Sequence, residues 1–200
     1  IDLFFEINKD ADIISITGTN GKSTTCKIIE KILKSAGFNA KAGGNLGKPA
    51  LSLKKSKKKN IFILEISSYQ LQYSKLFRSK HAAILNISPD HLDRHGSIKK
   101  YIQVKSKIFF AQKNQDHSYI NLQNKYSKEI FDIYKAKKLK SKLIKINTTT
   151  YRSLLNKINN GHFKGKGNIE NLVFAYQITK NLGVSEKIIV EALNKFKGLP

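Results

Sequence analysis

The sequence predicts an α/β fold: a mostly parallel sheet with helices on both faces. Three observations predict it. Short aliphatic runs alternate with helical patterns along the chain; the runs are apolar without a polar alternation, as in strands covered on both sides; and the first run leads through a tight glycine-containing loop into a helix.

The first strand is Ile13-Ile14-Ser15-Ile16, and the helix after it runs from about Lys22 to Ala36. In that helix Thr25, Cys26, Ile29, Ile32, Leu33 and Ala36 share one face at 3, 4 and 7 spacing, and Gly37 stands where a C-terminal cap belongs. Further strands are expected at Ile61-Phe62-Ile63-Leu64, Ala82-Ala83-Ile84-Leu85 and Leu143-Ile144-Lys145-Ile146, all buried, with helices from about Ile98 to Phe110 and Asn168 to Leu182. From Gln112 to Thr150 the chain is polar, and only a strand near Tyr119 and a helix near Ile130 are expected. Gly183 closes one helix, Ser185 is an N-cap, and Ile188, Ile189, Ala192, Leu193 and Phe196 form the last apolar stripe before Gly198-Leu199-Pro200. The lysine-rich run from Lys54 to Lys59 has no apolar period and is expected as a solvated loop. No internal repeat or Pro-rich linker divides the 200 residues, so one domain, 1–200, is expected.

Composition narrows the classes. A lone cysteine, Cys26, cannot form an intramolecular disulfide and sits on the buried helix face, so it is expected as core in a cytoplasmic protein. No apolar stretch approaches the roughly 20 residues a membrane span needs. The formal charge is +23, from 37 Lys+Arg against 14 Asp+Glu, which first suggests a polyanion partner. Yet only Arg78, Arg94 and Arg152 are arginines, the 34 lysines are spread over every segment, and aromatic residues do not interleave with them as a stacking platform requires. A nucleic-acid-binding role therefore ranks last, and none is expected. The chain opens on Ile1 and contains no methionine, which suggests a piece of a longer protein.

The strongest local motif is Thr17-Gly18-Thr19-Asn20-Gly21-Lys22-Ser23-Thr24, between strand and helix. Glycines let backbone N–H groups close around a phosphate, the helix amino terminus adds positive potential, Lys22 reaches the β/γ oxygens and Ser23 ligates Mg²⁺. It departs from GxxxxGK[ST] in having Ile16 five residues before Gly21. Glu65 ends the strand that begins at Ile61, at the edge where doubly wound sheets bind ligands, and can complete a metal site there. Asn86-Ile87-Ser88-Pro89-Asp90-His91-Leu92-Asp93-Arg94-His95 follows the next strand, with Asp90, His91 and Asp93 suited to Mg²⁺ or Mn²⁺. Lys105 lies in the middle of the apolar stripe Ile98, Tyr101, Ile102, Ile108 and Phe109: either it snorkels or it is a functional, neutralised or modified lysine. Gly43-Gly44-Asn45-Leu46-Gly47-Lys48-Pro49 is a second glycine-rich loop fitted to close backbone approach, with Asn45 able both to donate and to accept. Asn168 is expected as an N-cap and Asn171 one turn on.

Taken in order, GTNGKST, GGNLGKPAL, EISSYQL, NISPDHLDRH and Tyr101-x-x-x-Lys105 resemble the central, P-loop-containing ATPase domain of the Mur ligases from about Ile13 to Pro200, and EISSYQL and DHLDRH point to the D-glutamate-adding branch. The resemblance implies an ATP-dependent ligase that phosphorylates a carboxylate and lets an amine displace the phosphate, acting on UDP-linked muramoyl-alanine and D-glutamate in peptidoglycan precursor synthesis. It implies catalytic roles for Lys22, His91 and Lys105, and an ATP cradle of Gly18, Thr19, Asn20, Gly21, Lys22, Ser23 and Thr24. Two Mg²⁺ ions are implied, one on Ser23 and Glu65, the other on His91 and a carbamylated Lys105. It further implies substrate contacts from Asn45 and Ser67 and adenine contacts from Asn168 and Asn171. Where the family usually has His-Asn this chain has Gly167-Asn168. The same resemblance implies a monomer whose UDP-binding and amino-acid-binding domains lie outside these residues, so that the 200 residues alone lack ligase activity. Two rivals stay open at this point: a folylpolyglutamate synthase-type ligase, and another P-loop ATPase, which would give Lys105 no role.

Overall fold

Six strands make one sheet: β1 (Asp12–Thr17), β2 (Asn39–Gly44), β3 (Asn60–Glu65), β4 (His81–Ile84), β5 (His117–Asn121) and β6 (Lys142–Ile146). All neighbours are parallel, in the order β2-β3-β1-β4-β5-β6. The computed structural model describes every residue except Leu46, Lys55, Lys57, Lys58 and Pro200. The sheet is doubly wound, because β1 sits between β3 and β4 and the chain leaves it first to one side and then to the other. The carboxyl end of β1 is therefore the switch point, where adjacent connections diverge and open a crevice.

Alternation along the strands feeds two cores. Ile14, Ile16, Ile61, Ile63, Ala83 and Tyr119 face α2 (Lys22–Ser35), α8 (Lys166–Asn181) and α9 (Glu186–Asn194). Ile13, Phe62, Leu64, Ala82, Ile84 and Ile120 face the layer that holds α1 (Asp2–Ile7), α3 (Ser68–Tyr73), α5 (Ile98–Ser106) and α6 (Ser127–Ala136). The short helices α4 (Leu92–His95) and α7 (Arg152–Leu155) complete the set. Each of β1 and β3 is buried along its whole length, which explains why their sequences carry no polar alternation. Among the described residues no helix is long and apolar enough to cross a membrane.

Several expectations need correction. The run Leu143 to Ile146 is not a fully buried strand: β6 is the sheet edge, with Leu143 and Ile144 half-buried and Lys145 exposed. The helix from Ile98 is α-helical only to Ser106 and tightens into a single 3₁₀ turn over Lys107–Phe109. The helix expected from Asn168 starts at Lys166 with Gly165 as N-cap, so Asn168 is its third residue and donates back to the Lys164 carbonyl instead of capping the first turn. Ser185 is the N-cap of α9 by position, but its hydroxyl makes no capping bond. Lys54 and Lys59 are exposed, and Lys59 pairs with Asp12 at 3.1 Å; Lys55, Lys57 and Lys58 of the lysine run lie outside the described residues.

At the amino edge of the sheet the polar groups pair among themselves. Arg78 donates from Nε and Nη2 to the two oxygens of Asp116 at 2.8 and 2.9 Å, and the Asp116 carboxylate is fully buried. Removing the guanidinium strands that carboxylate, which costs about 3 kcal/mol in comparable cases. Arg78→Ala is therefore expected to lower unfolding stability by about 3 kcal/mol in urea titration, and Arg78→Lys, which keeps the charge but loses the fork, by less.

Candidate active site

The carboxyl edge is built around the turn from β1 into α2. Gly21 is the N-cap of α2 at φ 82°, left-handed, and offers no side chain to cap the first turn. A Cβ at Gly21 would lie 2.1 Å from Oδ1 of Asn171, so both conformation and space demand glycine. An uncapped helix amino terminus behind a left-handed glycine is a ready anion cradle. Gly18, Thr19 and Asn20 complete the loop, and Ser23 and Thr24 open the helix half-buried beside it. Lys22 folds back over the loop, its Nζ donating to the carbonyls of Gly18 at 3.1 Å and Thr19 at 2.8 Å.

Glu65, the last residue of β3, is buried, and its Oε2 accepts from the Ser23 hydroxyl at 2.6 Å. Asn45 donates weakly to its other oxygen at 3.4 Å. Gly44 permits this approach, since a Cβ there would stand 2.3 Å from the Glu65 carbonyl. Among the described residues no three His, Cys, Asp or Glu side chains gather as a protein-only metal cage. A hydroxyl–carboxylate pair beside a phosphate cradle is nonetheless the oxygen set that Mg²⁺ uses, with substrate phosphates and water supplying the rest, so the residues present fit one such ion.

Lys105, on α5, is 2% exposed and donates to Gly18 O at 3.0 Å and Thr17 Oγ1 at 3.3 Å, with its Nζ 4.7 Å from the Tyr101 ring centroid. It does not snorkel to solvent. Burial, helped by the nearby Lys22, pushes its pKa down to about 7 against the pull of Asp90 and Glu65. His91 shares none of these partners: at φ 50° it precedes α4 as its N-cap, its Nε2 is 3.4 Å from Asp90 Oδ2, and its ring meets Tyr69 edge-on at 5.3 Å. The structure thus brings Ser23 and Glu65 together, whereas His91 and Lys105 hold different partners.

Ser67 is the N-cap of α3 in a reciprocal box with Gln70, which engages its hydroxyl. Asn171 is buried and accepts from Thr25 Oγ1 at 3.2 Å, locking α8 to α2 behind the loop, whereas Asn168 is exposed. Sequence reasoning missed Asn86 as a site residue. Its Oδ1 accepts from the Asn20 backbone N–H at 2.9 Å and its Nδ2 donates to the Asn20 carbonyl at 3.2 Å and to Glu170 Oε1 at 3.2 Å. The signal that singled out Glu65, a polar residue just past the end of a buried strand, applies equally to Asn86.

A doubly wound parallel sheet with a phosphate loop at its switch point, a strand-end glutamate bonded to the loop serine and a buried lysine on the loop carbonyl define a nucleotide-phosphate-binding α/β domain. Residues 16–183 match the Mur ligase middle domain, and the chain belongs to that family. It is 40% identical over its whole length to a UDP-N-acetylmuramoylalanine--D-glutamate ligase of Rickettsia felis, and 38% identical to the protein of that name from Rickettsia bellii. These matches cover 47% and 48% of the two relatives, so the chain spans about half the length of the curated relatives it matches. The fold is that of MurF from Acinetobacter baumannii, with a TM-score of 0.76 over 99% of this chain and 49% of that one at 23% identity.

Gly21→Ala tests the cradle. The substitution puts a Cβ into Asn171 and a side chain into a left-handed φ, and strain of this kind costs about 1–3 kcal/mol. Chemical denaturation is expected to show a loss in that range, with partial recovery in Gly21→Ala/Asn171→Gly, which removes the clash but not the backbone strain.

Proposed function

We propose that this chain is the ATP-binding centre of a ligase that joins D-glutamate to UDP-N-acetylmuramoyl-L-alanine in peptidoglycan precursor synthesis. The observation that carries the reading is the 38–40% identity, over the whole chain, to proteins bearing that ligase name. The same observation favours it over a folylpolyglutamate synthase-type ligase, and the burial of Lys105 against the phosphate loop favours it over a P-loop ATPase that has no use for that lysine.

The reaction has two steps. A carboxylate oxygen of the muramoyl-alanine attacks the γ-phosphorus of ATP, giving an acyl phosphate and ADP. The amine of D-glutamate then attacks the acyl carbon, phosphate leaves with the bonding pair, and the nitrogen loses a proton to become the amide. Both steps bring anions together, so charge neutralisation is the main demand on the protein. Lys22 swings from the loop carbonyls to the β/γ oxygens, and the amino end of α2 holds the phosphates. Ser23 and Glu65 would hold one Mg²⁺, which would supply positive charge at the transferred phosphoryl group. Asn45 and Ser67 contact the muramoyl-alanine, and Asn168 and Asn171 lie on the adenine side.

Lys105 is proposed to carry a carbamate, formed when its neutral amine adds CO₂ and releases a proton; together with His91 it would hold a second Mg²⁺. A buried amine held near pKa 7 has the neutral fraction this addition requires. Cytoplasmic ATP supply and a single buried, unpaired cysteine support a cytoplasmic site of action.

The test uses the full-length protein. ADP release dependent on both UDP-N-acetylmuramoyl-L-alanine and D-glutamate is expected, with none on a folate substrate. Lys105→Ala is expected to lower kcat at least a hundredfold, on the scale of losing one electrostatic stabiliser. Added formate or acetate should restore part of it; an unrescued, fully active Lys105→Ala protein would remove the carbamate from the mechanism.

A further inference from the structure

Glu170 is the one buried carboxylate on α8, 8% exposed, and it lies between the two asparagines assigned to the adenine side. A carboxyl group so close to a phosphate cradle opposes anion binding, so its presence needs a reason. Its neighbours supply one. Asn86, just beyond β4, donates its Nδ2 to Glu170 Oε1 at 3.2 Å, and Asn121, at the end of β5, lies near enough to favour the Glu170 carboxylate. Each of these asparagines also accepts a backbone N–H through its Oδ1: Asn86 from Asn20 at 2.9 Å, Asn121 from Gln123 at 2.8 Å. With its oxygen committed to the Asn20 N–H, Asn86 turns its NH₂ toward α8, and a side chain that only accepts, the Glu170 carboxylate, is the partner that holds it so. If the Asn86 amide turned over, its NH₂ would meet the Asn20 N–H, donor against donor, and the phosphate loop would lose both backbone bonds that hold Asn20.

We propose that Glu170 is a positioning residue for nucleotide binding: it fixes the orientation of the Asn86 amide, and Asn86 in turn fixes the Asn20 backbone of the phosphate loop. The inference rests on the ATP-binding reading above and adds to it the residues that keep the loop in its binding shape.

The experiment measures Mg·ATP affinity by calorimetry on the full-length protein, and hydrogen exchange of the Asn20 amide without nucleotide. Glu170→Ala and Asn86→Ala should each weaken Mg·ATP binding about tenfold, about 1.4 kcal/mol, in line with the loss of one or two buried hydrogen bonds. Because both act through one amide, Glu170→Ala/Asn86→Ala should bind no more weakly than Asn86→Ala alone, and all three should lose protection at Asn20. Glu170→Met, close in size but with no oxygen to accept from Asn86, should show the same loss without a fall in melting temperature, and it stands in should the alanine variant fail to fold. A purely structural role predicts the opposite: lowered melting temperature with unchanged affinity and exchange. Variants that bind Mg·ATP like the wild type, or losses that multiply in the double variant, overturn the inference alone. A wild-type protein that does not bind Mg·ATP overturns both the inference and the reading beneath it.

Discussion

Two ammonium groups converge on one carbonyl oxygen. Lys22 and Lys105 both donate to Gly18 O, at 3.1 and 3.0 Å, from the helix that follows the phosphate loop and from α5. Two unit positive charges that share one carbonyl oxygen repel each other, the more so where burial keeps water from screening them. The protein lessens that repulsion by lowering the pKa of the more deeply buried partner, Lys105, and by placing Glu65 and Asp90 near enough to pull the other way. What remains is a site short of negative charge at the point where β1 gives out. A polyphosphate meets that need, and Lys22, the more accessible of the two lysines, is the one free to turn from the carbonyls to the ligand.

The loop must keep its shape while its charges are unbalanced, and three separate elements hold it. Lys105 fastens Gly18 from α5; Asn86 fastens Asn20 from beyond β4; Asn171 abuts Gly21 and bonds Thr25 from α8. These contacts come from both faces of the sheet, which is possible only because β1 lies at the switch point with a neighbour strand on each side. The amino edge shows the contrast. There the Arg78–Asp116 fork and the Gln112–Ser118–Ser141 network satisfy each other, and nothing is held in tension.

Much of the fold was legible because burial on both faces writes itself into composition. The strands β1 and β3 and the inner face of α2 are continuous or periodic apolar runs. Edge strands escape that signal: β2, Asn39-Ala40-Lys41-Ala42-Gly43-Gly44, pairs residue for residue with β3, yet its small and polar side chains carry no strand pattern, and its last two residues, Gly43 and Gly44, read as the start of a glycine-rich loop. The helices α1 and α3 were too short to show a period. In the site, Lys105 was legible because a cation interrupted an apolar stripe, Ser23 because it follows the glycine–lysine pair of the loop motif, and Glu65 because it ends an apolar run. Asn86 shares the strand-end position but carries no charge to mark it, and Glu170 sits inside a helix with no mark at all. Their partners are 66 and 84 residues apart in sequence, and an asparagine after a strand looks like any turn former until the fold brings Asn20 to it.

The diffuse lysine charge and the two functional lysines follow different physics. Exposed lysines such as Lys27 and Lys34 pair with Glu30 at 3.1 and 2.8 Å on the outer side of α2, where water screens them and each pair contributes little. Lys105 has no water to screen it, so its charge must be removed, balanced or put to use. That asymmetry explains why a net charge of +23 says little about partners, while one lysine at 2% exposure constrains the chemistry of the whole carboxyl edge. A buried amine beside an anion cradle either stays a neutral donor to the loop or becomes an anion by taking up CO₂. Only the second outcome, the carbamate proposed above, would turn the repulsion between Lys22 and Lys105 into an attraction, and it would do so at a place where a metal ion gains from the new negative charge.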